Sequence, residues 1–215
     1  MPRTLSEAES KACLAAHGVP VLPERLCATP DDAVAAAEEL GYPVVAKLCG
    51  EAVAHKTERG LVRLRLTNAD AVREATGALL AAGRPEDGVT GVLVAPMVSG
   101  NRELIAGLHR DPQFGMTVML GVGGVLAEAL GDVAFRLVPI TAVDAEELID
   151  DLATQSLLGE FRGEPAVDRA ALVGVLTALS DAAVADPTIV SADVNPLIVV
   201  DGRPVAVDGL IEVEA

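Results

Sequence analysis

The sequence predicts a mixed fold, α/β or α+β, with substantial antiparallel sheet, and three features predict it. Short segments rich in Val, Ile and Leu alternate with Ala- and Leu-rich segments of helical length. The starts of the helical segments carry explicit capping residues. Several neighbouring strand segments are joined by connections too short for a helical crossover, which argues against a purely parallel, doubly wound sheet. With 51% hydrophobic residues among 215, the chain can bury a sizeable core, as one large domain or two small lobes. That core is aliphatic, because the chain has three Phe, one Tyr and no Trp.

Taken in order, Ser6 with Glu9 forms a capping-box pattern and opens a helix over 6–17. Thr29-Pro30-Asp31-Asp32 combines an N-cap, a proline at the first helical position and an acid three residues on, and opens a helix over 30–40. Thr67 with Asp70 starts 68–82, Thr141 with Asp144 starts 143–152, and a further helix covers 168–185. Gly18 and Gly41 stand where helix C-caps belong, each with a proline two residues later. Strands are expected near 20–27, 43–49, 61–66, 91–97, 103–109, 116–121, 133–138, 189–194, 197–200 and 204–208. The apolar strand V-L-V-A-P-M-V ends in S-G-N, and a lobe boundary is expected near Pro96 to Gly100.

The formal net charge of −16 leaves no global basic footprint for nucleic acid and disfavours an anionic membrane surface. An anionic ligand must then be held by a local basic cluster or a metal. One cluster exists: Lys47, Lys56, Arg59, Arg63 and Arg65. Cys13, Cys27 and Cys49 form no CxxC, which points to free thiols in a reducing cytoplasm rather than to zinc or disulfides. The N-terminus lacks the apolar region of a signal peptide, and the apolar run from Met116 to Leu130 is broken by glycines and Glu128.

Five motifs carry chemistry. D-V-N-P-L-I-V-V-D-G-R-P-V-A-V-D-G at 193–209, folded as a hairpin, brings Asn195 and Asp208 to the same end. Two hard oxygen ligands with open positions for water and phosphate suit Mg²⁺; the bland alternative is an Asp-rich hairpin closed by turn hydrogen bonds. Y-P-V-V-A-K at 42–47 reads as a strand with Lys47 at its tip, a compact point charge for phosphate or simply a solvated lysine. A-H-K-T-E-R-G-L-V at 54–62 places His55 on a polar loop between two strands, flanked by Lys56 and Arg59. Imidazole is a competent nucleophile near neutral pH, and neighbouring cations stabilise arriving phosphate, although a loop histidine is usually a surface residue. V-L-V-A-P-M-V-S-G-N-R-E at 92–103 reads as a strand and connection, and Gly121, Gly123 and Gly124 follow a strand where backbone N–H groups could approach phosphate.

Together these motifs resemble the ATP-grasp domain, over essentially the whole chain. The resemblance is to the β subunit, or fused ATP-grasp domain, of NDP-forming (ADP-forming) acyl-CoA synthetases, also called acetate–CoA ligases. The succinyl-CoA synthetase β subunit is a related cousin. It implies an ATP-grasp fold of two lobes with largely antiparallel sheets flanked by helices. Residues 19–98 would form the small lobe and 99–215 the large lobe with the metal site, and 1–18 would pack a helix on the C-terminal lobe. By the same resemblance Lys47 and Lys56 serve the phosphates, and the backbone of Ala95, Met97 and Val98 reads adenine. Glu103 lies near the ribose, Gly123 and Gly124 approach phosphate, and Arg136 in D-V-A-F-R contacts the γ-phosphate. Asn195 and Asp208 are the Mg²⁺ ligands. His55 accepts the phosphoryl group, with Asp193 near the phosphohistidine and Glu128 orienting the relay histidine or the metal. Thr57-Glu58 replaces the usual Ser-Asp, and Leu61 stands where glycine is common and could stiffen the loop.

The implied activity is phosphate exchange between ATP/ADP and histidine during acyl-CoA synthesis from a carboxylic acid and CoA. It needs a CoA-binding α subunit or fused domain, so the chain is expected in a hetero-oligomer or a longer cytoplasmic polypeptide. The competing classes are an ATP-grasp carboxylate–amine ligase, a non-catalytic nucleotide-sensing module of a fused enzyme, and an α/β binding protein with an accidental hairpin.

Overall fold

The computed structural model describes residues 2–53, 56–124, 131–160 and 162–214. They fall into two compact units, one of Met1–Leu5, Ser10–Val21 and Ser99–Ala215, the other of Ser6–Glu9 and Leu22–Val98.

In the second unit, strands β2 (Arg25–Cys27), β3 (Val44–Gly50), β4 (Val62–Leu66) and β5 (Val89–Pro96) form an antiparallel sheet in the order β2-β5-β3-β4. Helices α2 (Pro30–Leu40) and α3 (Ala69–Ala82) supply Ala33, Ala37, Val72 and Leu79 to a core with Val44, Ala46 and Leu48 of β3. Because side chains alternate along a strand, Val45, Lys47 and Cys49 point to the opposite face. Lys47 stands in the middle of a strand whose seven residues are all buried, not at a strand tip as the sequence suggested. The strand continues because Leu48, Cys49 and Gly50 pair with Val92, Gly91 and Val89 of β5.

The capping box of α2 is present: Thr29 Oγ1 accepts the Asp32 N–H at 3.2 Å and the Asp32 carboxylate accepts the Thr29 N–H at 3.2 Å. For α3 the cap shifts by one residue. Asn68 Oδ1 accepts the Ala71 N–H at 2.9 Å, so Asn68 rather than Thr67 caps the helix.

In the first unit, β1 (Arg3–Thr4), β6 (Glu103–Asp111), β7 (Gly115–Val122), β8 (Val133–Leu137), β9 (Ile189–Val200) and β11 (Leu210–Val213) run in the order β1-β11-β9-β6-β7-β8, with β10 (Arg203–Ala206) also pairing β9. Every pairing between these strands is antiparallel. Helices α4 (Ala142–Asp150) and α5 (Arg169–Ala185) cover one face, burying Leu148, Ile149, Leu172, Val175, Leu176 and Leu179 against Leu108, Val118 and Leu120. From helix α1 (Glu7–Ala16), Leu14 joins this core and Ser10 Oγ accepts the Ile211 N–H at 3.0 Å.

Further differences from the sequence expectation lie in the strands: the one expected over 20–27 is formed only at Arg25–Cys27. Strands β1 and β11 had no period long enough to be legible. The two strands expected at 189–194 and 197–200 are one strand, β9, with a bulge. Leu104 pairs with Leu197 and Ala106 with Val194, so Asn195 and Pro196 together face the single residue Ile105. A bulge is where a proline can enter a central strand, because no ladder N–H is required of it.

Candidate functional site

In the first unit the bulge sets the site. A bulge bends its strand and re-aims the adjoining side chains. Beyond it, β9 and β10 form the expected hairpin, from Val200 opposite Arg203 to Leu197 opposite Ala206, and the Val207 N–H then donates to Pro196 O at 3.2 Å. The next residues outward along the two chains are Asn195 and Asp208. Leu210 returns to pair with Asp193, so Asp208 lies on a short crossing beside both Asn195 and Asp193. The Asp193 carboxyl is pushed above its ordinary pKa, first by desolvation and second by the charge of Asp208. Asp193 and Asp208 lie near enough for the charge of one to act on the other, and Asn195 adjoins them along the backbone register; carboxylate and amide oxygens are the hard donors that Mg²⁺ takes. Among the described residues no group of three His, Cys, Asp or Glu side chains could hold a metal, so any ion here would have to take further oxygen from its ligand and from water.

Lys11, 2% exposed, donates to Val207 O at 3.4 Å and brings a buried ammonium to the residue preceding Asp208. It reads in sequence as an ordinary helix lysine. Gly209 admits this approach: a Cβ there would meet Leu14 Cδ1 at 2.9 Å and Lys11 Cγ at 3.3 Å.

Glu103 begins β6 and stands opposite Ile198. Its carbonyl accepts the Gly123 N–H at 2.8 Å, and a Cβ on Gly124 would come within 3.4 Å of Glu103 Oε2. Glu103, Gly123 and Gly124 are thus brought together. Arg136 is not brought to the Asp193 side. Residues directly opposite across strands share a face, so Asp193, Gly107, Met119 and Phe135 form one row, and Ala192, Leu108, Val118 and Arg136 form the adjacent row on the other face. There Arg136 pairs with Asp151 at 2.8 Å beside α4.

In the second unit, Lys47 Nζ donates to Glu7 Oε1 at 2.8 Å, and Lys56 Nζ donates to Glu7 Oε2. Glu7 is 4% exposed and Lys47 9%. Ala95 pairs with Val45, and the Met97 N–H donates to Pro43 O at 2.9 Å. That N–H is therefore engaged within the unit. His55 and Glu128 lie outside the described residues.

The loop that follows His55 is fastened through Arg59 and Leu61, and by Asp87, which the sequence did not single out. Arg59 makes a two-pronged ion pair with Asp87, at 2.8 and 2.7 Å, and Asp87 also accepts the Arg84 N–H at 2.8 Å. The Arg59 hydrogen bond, aided by that of Arg84, holds the Asp87 carboxyl down at about 2. Leu61, 1% exposed, anchors the end of the loop, with its N–H on Lys56 O at 2.7 Å and its carbonyl on the Leu48 N–H at 3.0 Å.

Residues 2–213 match the family model of the ATP-grasp domain, and the chain belongs to that family. Within it, the chain resembles the β subunit of the ADP-forming acetate–CoA ligase I of Pyrococcus furiosus, at 36% identity over 96% of this chain and 90% of that protein. It is also 38% identical to the acetate–CoA ligase [ADP-forming] I of Archaeoglobus fulgidus, over 94% of this chain but 30% of that longer protein. Among solved structures it resembles the dinucleotide-forming acetyl-coenzyme A synthetase 1 of Ca. Korarchaeum cryptofilum, in complex with coenzyme A and Mg-AMPPCP, its phosphohistidine segment pointing towards the nucleotide binding site. That match has a TM-score of 0.85 and 36% identity, over 99% of this chain and 93% of that chain. No helix among the described residues is long and apolar enough to cross a membrane.

Proposed function

We propose that this chain is the ATP-grasp, nucleotide-binding part of an ADP-forming acyl-CoA ligase, and that it exchanges a phosphoryl group between ATP and His55. The observation that carries the reading is the register that brings the backbone of Asp193, Asn195 and Asp208 together at the β9 bulge, in a chain that matches the β subunit of such a ligase almost end to end. Asn195 and Asp208 would hold Mg²⁺, whose chemistry here is to neutralise phosphate charge. Lys47 and Lys56 supply cationic donors to the phosphates, and phosphoryl transfer depends mostly on such positioning and neutralisation. Glu103 with Gly123 and Gly124 serves the nucleotide, and the backbone of Ala95, Met97 and Val98 reads the base. A nitrogen of the His55 imidazole attacks the γ-phosphorus, the bond to the β,γ-bridging oxygen breaks, and ADP leaves. Asp193 and Glu128 orient the imidazole.

In the remaining chemistry, acyl-CoA and phosphate give acyl phosphate and CoA, the acyl phosphate phosphorylates a histidine of the partner and releases the carboxylate, and that phosphate passes to His55 and then to ADP. The acyl chemistry belongs to a CoA-binding partner, separate or fused, as the 30% coverage of the Archaeoglobus ligase supports. The setting is cytoplasmic. The test is exchange of labelled ADP into ATP by the chain with Mg²⁺ and no carboxylate. Exchange that disappears in His55→Ala supports the relay. A carboxylate–amine ligase or a nucleotide sensor would show no exchange without further substrates.

A further inference from the structure

The loop joining β3 to β4 carries His55, and its described part, Lys56–Leu61, is tied down at three points. Two are electrostatic and come from residues distant in sequence. Glu7 accepts from Lys56 and, with its other oxygen, from Lys47 at 2.8 Å. It therefore joins the loop to the strand that bears the phosphate lysine. The Glu7 side chain is only 3% exposed, which makes it a buried counter-ion for two ammoniums that would otherwise repel. Asp87, whose side chain is also 3% exposed, grips Arg59 through both oxygens. This fork geometry fixes orientation as well as distance. The third tie is the buried Leu61.

We propose that Glu7 and Asp87 are positioning residues for phosphoryl transfer: they hold Lys56 and Arg59, and with them the segment Lys56–Leu61 that follows His55 in sequence, against β3. The inference rests on the reading of His55 as the phosphoryl carrier. Glu7 does a second thing. Its carboxylate accepts from both ammoniums at once and so couples the loop lysine to the strand lysine. Misplacing a reacting group by about 1 Å can cost roughly a hundredfold in rate, so a loop held by three ties has a measurable effect on turnover. Neither residue has a local sequence signal, because Glu7 lies 40 and 49 residues from its partners and Asp87 lies 28 from its own.

The experiment uses the full chain and the variants Asp87→Asn, Arg59→Gln and Glu7→Gln. Two quantities are read: hydrogen exchange at the Gly60 and Leu61 amides, and the rate of protein phosphorylation by ATP and Mg²⁺ across ATP concentrations. Expected are exchange faster by about tenfold or more at those two amides, with amides of α5 unchanged. The maximal phosphorylation rate should fall about 10- to 100-fold in Asp87→Asn and Arg59→Gln. The ATP concentration for half-maximal rate should stay within about threefold in those two variants and shift only in Glu7→Gln, which touches Lys47. The charge-reversed pair Arg59→Asp/Asp87→Arg should recover part of the lost protection and rate. Arg59 is on the loop, so Arg59→Gln serves if Asp87→Asn does not fold. A wild type that takes no phosphate overturns the reading of His55 and this inference with it. Phosphate on the wild type, with unaltered rates or unaltered exchange in folded Arg59→Gln and Asp87→Asn, overturns this inference alone.

Discussion

Replacing Lys47 by methionine keeps the length of the aliphatic stem on β3 and removes the charge. In the structure the ammonium is 2.8 Å from Glu7 and the residue is 9% exposed. A hydrogen bond to a charged group contributes about 1.5–3 kcal/mol, and each 1.4 kcal/mol is a factor of about ten in affinity. If Lys47 holds nucleotide phosphate, Lys47→Met therefore weakens Mg·ATP binding by about 10- to 150-fold. Folding suffers less than stranding a buried charge, which costs about 3–5 kcal/mol, because Glu7 keeps Lys56. Titration calorimetry with Mg·ATP and Mg·ADP measures the binding, and urea unfolding without nucleotide measures the fold. A folded Lys47→Met protein that binds Mg·ATP within about twofold of wild type refutes the assignment of this lysine.

If Asn195 and Asp208 hold Mg²⁺, Asp208→Asn removes the one carboxylate of that pair. It should raise the Mg²⁺ concentration needed for nucleotide binding by about tenfold, the order expected when one metal contact of about 1.4 kcal/mol is lost, with little change in metal-free stability; a Mg²⁺ titration of bound ATP reads it. Arg102→Met strips donors from the carbonyls of Gly159 (2.9 Å) and Pro165 (2.6 Å) and from the Glu164 carboxylate (3.3 Å), at a site 2% exposed. Urea unfolding should show a loss of about 3–5 kcal/mol. Gly107→Ala should destabilise the first unit, because the added Cβ would meet Ala192 O at 2.4 Å, and thermal unfolding reads the loss. Asp87 has its folded pKa lowered to about 2, against about 3.9 for a free aspartate. Its contribution is complete above about pH 4 and is lost as pH falls towards about 2. The stability gap between wild type and Asp87→Asn should therefore be constant from pH 5 to pH 7, in this order-of-magnitude window, and close progressively below about pH 4.

The parts of the fold legible in sequence were those whose cause is local. The Thr29/Asp32 and Thr141/Asp144 capping boxes mark their helices because both halves of each bond lie within one turn. Asn68 displaced Thr67 as a cap because two adjacent residues could serve and only the backbone geometry chooses between them. Strand β1 has two residues and exists because β11 pairs with it, a partner more than two hundred positions away. The bulge at Asn195-Pro196 was read as a strand break, since a proline in a central strand is admissible only when the neighbouring strand is one residue short. In the candidate site, the approach of Asp208 to Asn195 followed from hairpin arithmetic. The buried partners Glu7, Lys11 and Asp87 did not, because each looks like an ordinary surface charge until the chain is folded. Arg136 satisfied a motif, yet strand parity turns it towards Asp151 and α4.

The central claim is that His55 carries phosphate taken from ATP, and identifying the phosphorylated residue tests it most directly. The chain is incubated with γ-labelled ATP and Mg²⁺, digested under alkaline conditions that preserve phosphohistidine, and mapped by mass spectrometry. The account predicts acid-labile phosphate on the peptide containing His55, removed by added ADP with formation of ATP and absent from His55→Ala. Label on another residue, or equal label on wild type and His55→Ala, would contradict it.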